Sequence, residues 1–355
     1  MTTSQIISWS NLPASSLRQD HGLLAEWDRL NTARSDLPFL VGDAILAALD
    51  VFGQGHERLL VGKQGPAIVA MLVLVPADNL CWRTFQPSQI PLGAWVAEAH
   101  LPLADLARRL VRGPLGFCLS LSVTQVDPLF APRGEDRADS RSSNYVETGW
   151  IDLDGDFEQY WSARGKNLRQ NVRKQKSKLA AEGKTVEIRS LTDPSHMAQA
   201  VERYGALESA GWKGQQGTAI HRDNAQGEFY RRLLEDAARR GEAVVYEYLF
   251  DGQVVASNLC LQRKGTLVVL KTTYDESIDF YSPAVLLRHD ELASLFHGKA
   301  VRRLEYYGRM MEWHAKWTGN KRQLYHLTLY RWPLLKPLAE WRRRRSTSTT
   351  AAHDH

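Results

Sequence analysis

Residues 243–290 read AVVYEYLFDGQVVASNLCLQRKGTLVVLKTTYDESIDFYSPAVLLRHD, and the fold follows from them. Three runs rich in β-branched and aromatic residues, 243–250, 253–262 and 266–274, are separated by Asp251-Gly252 and Lys264-Gly265. Such pairs make tight turns, so the runs form an antiparallel meander. Ser282 then suits a helix N-cap and Pro283 the first helical position, where its missing N–H costs nothing. A short strand, RLEYY at 303–307, follows that helix.

Upstream of the meander the patterns give a strand at 145–153, a basic helix within 164–183, a strand at 185–190 and helices at 194–209 and 228–240. The N-terminal part has a related order. Helices at 25–32 and 43–52 precede a hairpin of 57–62 and 66–75 around the turn residues KQG, then a helix at 103–111 and a strand at 116–123. Self-similarity between the halves is too weak to define a sequence repeat, although both read as helices followed by a meander. The segment 132–144, PRGEDRADSRSSN, has almost no apolar residues and reads as a linker. The expected organisation is therefore an N-terminal domain at 1–131, the linker, a C-terminal domain at 145–332, and a basic, disordered tail at 333–355. The fold class is α/β (α+β), each domain a mixed, mainly antiparallel sheet flanked by helices.

Composition narrows the function. Hydrophobic residues make up 43% of the 355, ordinary for globular domains, and the net charge of +5 comes almost entirely from Arg342 to Arg345. Bulk charge thus gives no argument for nucleic acid. Cys81, Cys118 and Cys260 are far apart and lack C-x-x-C or Cys/His spacing, which argues against a disulfide framework and structural zinc and for a reducing cytoplasm. His196, His221, His289, His297 and His314 form no ligand pattern, so no metal is expected. No apolar run spans a bilayer, and MTTSQIISWSNL lacks the features of a signal peptide. The tail WRRRRS suits peripheral contact with anionic lipid or RNA; an exposed end is the plainer reading.

The basic helix RGKNLRQNVRKQKSKLAAEG places Lys166, Arg169, Arg173 and Lys176 on one side of the wheel, beside an apolar strip of Leu168, Val172 and Leu179. The stripe either faces solvent or meets an anionic partner. Aromatics do not interleave with its cations, which disfavours a stacking platform for nucleic acid.

Taken in order, KNLRQNVRKQKSKLAAEG, EFYRRLLEDAARRGEAVVYEYLFDGQVVASNLCLQRKG, YDESIDFYSPAVLLRHDEL and RRLEYYGRMMEWHAKWTG resemble the GNAT acyltransferase superfamily. Within it they are most similar to the branch of CelD-like and exopolysaccharide-associated acetyltransferases, which is related to the FemAB-type peptidoglycan transferases. The resemblance covers about residues 146–331; WDRLNTARSDLPFLVGDAILAAL matches the family's N-terminal domain more loosely. It implies two GNAT-like domains, the first degenerate, and an N-acyltransferase. Such an enzyme moves an acyl group from acetyl-CoA or another acyl-CoA to an amine of an amino sugar or of an envelope or exopolysaccharide precursor. The acceptor is then a small-molecule or lipid-linked saccharide at the cytoplasmic face of the membrane.

The residues can be placed against that chemistry. Thr272, Thr273 and Tyr274 end the third meander strand, and with Ser282, Ala284 and Val285 at the helix start they are the expected donor-binding residues, the helix offering free N–H groups to phosphate. The glycine-rich pyrophosphate loop of typical GNAT enzymes is missing. That keeps two other donors open: an acyl carrier protein, or the aminoacyl-tRNA used by FemAB-type relatives. A FemAB-like helical arm for tRNA is not visible, and a non-catalytic, ligand-binding regulator of the same fold is a further alternative. Glu305 and Tyr307, two apart on one strand, are the candidate base and acid, with Glu305 alternatively an ion-pair partner of Arg303 or the basic helix. His314 is a rival base. Lys316 and Trp317 match the family's Lys/Trp position. Trp212, in the loop ESAGWKGQQGTAI, is placed to stack on an acceptor sugar, and Lys166, Arg169 and Arg173 to face its phosphates.

Overall fold

The computed structural model describes residues 6–78, 80–210, 220–221 and 223–350, with side chains as far as residue 342. The chain forms two compact units, Met1–Leu46, Gly53–Val146 and Gln323–His355 in one, and Ala47–Phe52 with Glu147–Arg322 in the other. In chain order the elements begin with β1 (Ser8–Pro13), α1 (Ser16–Gln19), α2 (His21–Arg34), α3 (Gly42–Phe52), β2 (Arg58–Gln64), β3 (Ala67–Asp78), β4 (Cys81–Thr84), β5 (Trp95–Ala97), α4 (Leu103–Arg112) and β6 (Ser120–Val126). They continue with β7 (Ser140–Asp152), α5 (Phe157–Ser162), α6 (Lys166–Ala181), β8 (Val186–Leu191), α7 (Pro194–Ala210), α8 (Ala225–Arg239), β9 (Ala243–Phe250), β10 (Gln253–Arg263), β11 (Thr266–Tyr274), α9 (Pro283–Gly298), β12 (Arg303–Glu305), α10 (Glu312–Ala315), β13 (Lys321–Tyr330) and α11 (Leu335–Thr350).

In the second unit β8, β9, β10 and β11 pair antiparallel in sequence order, β12 adds parallel to β11, and the end of β7 adds antiparallel to β12. The meander turns are as tight as the sequence requires: Asp251, Gly252, Lys264 and Gly265 all have positive φ, from 43° to 84°. One face of the sheet is covered by α6, through Leu168, Val172 and Leu179, and by α9, through Leu286, Leu287, Leu292, Leu295 and Phe296. Helices α7 and α8 pack together and against β9, β10 and β11.

The first unit repeats the pairing order. β1 to β4 are antiparallel neighbours, β6 is parallel to β4, β13 is antiparallel to β6, and β5 joins β3. Its helix α4 buries Leu103, Leu106, Ala107, Leu110 and Val111, an apolar stripe at helical spacing. Both units are thus mixed, mainly antiparallel sheets flanked by helices, the architecture expected from the sequence.

Two segments differ from their reading. The polar stretch 132–144 leads into β7, which starts at Ser140, because Asp139 is held by Arg108 and Arg112 while its carbonyl accepts the Tyr330 N–H. Ion pairs, rather than apolar side chains, order it. The tail read as disordered forms α11, tied down by Lys336, whose ammonium donates to the Arg137 and Ser140 carbonyls at 2.9 and 2.8 Å. Among the described residues no helix is long and apolar enough to cross a membrane.

Candidate active site

Strands β11 and β12 pair over three residues only, Thr266 to Val268 against Arg303 to Glu305. Beyond that point β12 ends, Tyr307 takes a left-handed φ of 51°, and β11 runs on to Tyr274 paired with β10 but without β12 on its other edge. A bulge at Leu270, between the pairs Leu259–Lys271 and Cys260–Val269, re-aims this last stretch. A cavity of about 500 Å³ opens where the strands part. Its wall includes Thr272, Thr273 and Tyr274 of β11, Ser282, Ala284 and Val285 at the start of α9, and Lys316 and Trp317 after α10. Eight residues singled out from the sequence therefore line one cavity. Asn171 of α6, Glu208 of α7, Glu276 and Asp279 of the turn before α9, Arg288 and Trp313 also line it, and the sequence reading named none of them for a site.

The helix start is built for an acceptor oxygen, but narrowly. Ser282 has a left-handed φ of 55° and does not cap the helix; its Oγ lies 3.2 Å from the Asn171 amide Nδ2, which donates to it. Pro283 has no N–H, and the Val285 and Leu286 N–H groups bond to the Ser282 carbonyl. The Ala284 N–H meets no acceptor among the described residues. Asp279, whose carbonyl accepts the Ser282 N–H, lines the cavity here with Glu276. Two carboxylates beside this helix start work against a pyrophosphate and in favour of a cation.

Arg288 is 3% exposed and borders the same cavity. Its Nη1 donates to Glu291 Oε2 at 2.7 Å, Asn258 Nδ2 donates to the same oxygen at 2.9 Å, and the guanidinium lies 5.4 Å from the centre of the Tyr306 ring. Burial pushes the Glu291 carboxyl upward, and Arg288 opposes this. Nε and Nη2 of Arg288 meet no acceptor among the described residues. A guanidinium at the cavity wall with donors left over can take up a ligand oxygen.

The acid–base pair read from RLEYY is corrected by the geometry. Glu305 does face away from Leu304 and Tyr306, which lie in the core, but its carboxylate is 3% exposed and held by Arg322, so it does not line the cavity. The alternative weighed from the sequence, an ion pair, is the better description, with Arg322 the main partner and Arg303 at 3.8 Å. Tyr307 lies under the same Arg322, whose guanidinium is 5.1 Å from its ring centre. His314 is also outside the cavity lining. It is buried and stacked on Trp313, and its Nδ1 accepts the Met311 N–H at 2.9 Å. Burial and then the Arg288 charge bring it down to about 4, which makes a neutral imidazole with an occupied acceptor nitrogen and a poor base.

Lys166, Arg169 and Arg173 are exposed on α6, which reaches the cavity through Asn171 instead. Lys176 of the same stripe is tied to Asp290 at 2.6 Å. Trp212 lies outside the described residues. Among those described, no group of His, Cys, Asp and Glu could hold a metal ion.

Residues 166–314 match the acetyltransferase (GNAT) domain family. The fold is also that of solved structures. FemX aligns with a TM-score of 0.54 at 9% identity, over 90% of this chain and 98% of its own. The C-terminal domain of a putative lysylphosphatidylglycerol synthetase from Agrobacterium fabrum gives 0.52 at 14%, over 86% and 91%. A conserved protein of unknown function from Bacteroides thetaiotaomicron gives 0.53 at 12%, over 86% and 97%. At such identities the likeness is one of fold. No curated protein matches the sequence significantly. Residues 166–314 thus carry a GNAT acetyltransferase domain, in a sheet that opens at its parallel pair, and this domain supports an acyltransferase.

Proposed function

We propose that the chain transfers an acyl group, most simply from acetyl-CoA, to an amine of an amino sugar or of an envelope or exopolysaccharide precursor, as in the CelD-like branch it resembles. The observation that carries this reading is the cavity at the free end of β11, closed by the start of α9 and by Trp313, Lys316 and Trp317. A thioester lying along β11 finds unpaired strand edge beyond Val268, and tryptophans suit the face of a sugar. The acceptor ammonium is drawn to Glu208, Glu276 and Asp279 and loses its proton to Glu208, which is anchored by the Ile220 N–H at 2.8 Å. The amine nitrogen then attacks the thioester carbonyl. Arg288 stabilises the oxyanion, the C–S bond breaks as the second proton of the attacking nitrogen passes to the leaving thiolate, and the first proton, held by Glu208, returns to solvent. The setting is the cytoplasm, at the inner face of the membrane where such acceptors are made.

A second donor is favoured by a specific feature. Glu276 and Asp279 stand beside the start of α9, and no glycine loop precedes it, so a pantetheine arm fits the cavity better than the pyrophosphate of CoA does. An acyl carrier protein or an aminoacyl-tRNA brings its acyl group without requiring that contact. Calorimetric titration with acetyl-CoA, a longer acyl-CoA and free CoA separates the readings. Micromolar 1:1 binding supports CoA as carrier; no heat with any of the three overturns it and directs the search to the other carriers. Binding without turnover on any amine would mark a regulatory descendant of the fold.

A further inference from the structure

The helix α11 is docked with its amphipathic character reversed. Its polar side faces the protein: Lys336 donates to the Arg137 and Ser140 carbonyls, and Glu340 lies 3.8 Å from Arg141. Leu335 and Ala339 are half-buried, but the larger apolar side chains face outward. Leu338 and Trp341, three apart and hence on one face, are 57% and 54% exposed, and Leu334, in the turn just before the helix, is 77% exposed. The apolar surface continues through Trp332 and Phe117, whose rings are 5.7 Å apart, with the Arg331 guanidinium 5.6 and 5.7 Å from their centres. The next four residues of the sequence are Arg342 to Arg345.

A water-facing strip of leucine and tryptophan bordered by arginine is the composition of a helix lying in a membrane interface, apolar side chains at the acyl boundary and guanidinium groups among the headgroups. A second copy of the chain would bring two arginine runs together at a self-complementary contact, and like charges oppose that. Polynucleotide would satisfy the arginines but leave the leucines in water. We propose that this face of α11 is a docking surface for an anionic phospholipid bilayer, which holds the first unit against the membrane. The proposal does not depend on the reaction catalysed.

The test is co-sedimentation of the full-length protein with vesicles of phosphatidylcholine alone and of phosphatidylcholine with phosphatidylglycerol in equal parts, at low and high salt. Partitioning should be about tenfold or more stronger to the anionic vesicles and should weaken with salt. The double variant Leu338→Glu/Trp341→Glu should lose about tenfold or more of that binding. Its thermal midpoint reports on folding, and Leu334→Ser/Leu338→Ser supplies a milder second variant. No preference for anionic vesicles, or binding that both variants retain, overturns the proposal. So does a wild-type dimer, seen by sedimentation without vesicles, that the variants dissolve, because the occupant would then be a second copy. Binding to tRNA that exceeds vesicle binding and survives both variants also overturns it.

Discussion

Nη1 of Arg322 lies 3.2 and 2.9 Å from the two carboxylate oxygens of Glu305, and both side chains are almost fully buried. Removing one charge of such a pair strands the other, so Glu305→Gln should destabilise the protein by about 3 kcal/mol. Turnover per folded molecule should stay within about twofold, since catalysis by proton transfer would cost far more. Thermal melts with active-site titration check both. An unchanged melt with a hundredfold slower reaction would restore Glu305 as the base.

Arg288 should show the opposite split. Arg288→Met leaves Glu291 buried without its cation, at a cost of about 3–5 kcal/mol, and Arg288→Met/Glu291→Met should recover most of that. Acyl transfer should remain about a hundredfold down in the double variant, because the donors facing the cavity are gone. Recovery of both stability and rate would reduce the pair to a structural role.

Glu208 is the carboxylate placed to take the amine proton. Glu208→Gln keeps an oxygen for the Ile220 N–H, so stability should change by about 1 kcal/mol or less while kcat falls about a hundredfold. Weaker acceptor binding alone, with kcat intact, would make Glu208 a binding group for the ammonium.

His314 sets a pH dependence of stability rather than of rate. Unfolded, it takes a proton near 6.5; folded, burial and then Arg288 hold it down to about 4. Between those values the unfolded chain binds more protons. Stability should therefore be flat above about pH 6.5 and fall towards pH 4, by up to about 3 kcal/mol from this residue. Urea melts of wild type and His314→Gln across that window should differ in slope, and the rate should show no His314 inflection near neutrality.

Much of this was legible in the chain. The meander boundaries and turn pairs follow from period-two runs and Asp-Gly or Lys-Gly steps, and Ser282-Pro283 marks the helix start that lines the cavity. Glu305 misled because alternation places it on a face of the strand but says nothing of Arg322, a partner seventeen residues on. Arg288 and Glu208 were missed because a single charged residue in a helix carries no spacing pattern; only the tertiary fold buries both and brings them to the same cavity. The strand β13 was not read, since Lys321, Arg322 and His326 interrupt its apolar alternation, although Leu324, Leu327 and Leu329 are buried.

The first unit takes β13 as the neighbour of β6 from the far end of the sequence. On the ribosome, where the chain emerges from its N-terminus, residues 120–126 must wait for residues 321–330 to be made before they gain that neighbour. Until then they present a bare strand edge open to mispairing. Residues 321–330 thus complete a unit whose other strands are made much earlier, and truncation before residue 321 should cost that unit its native state.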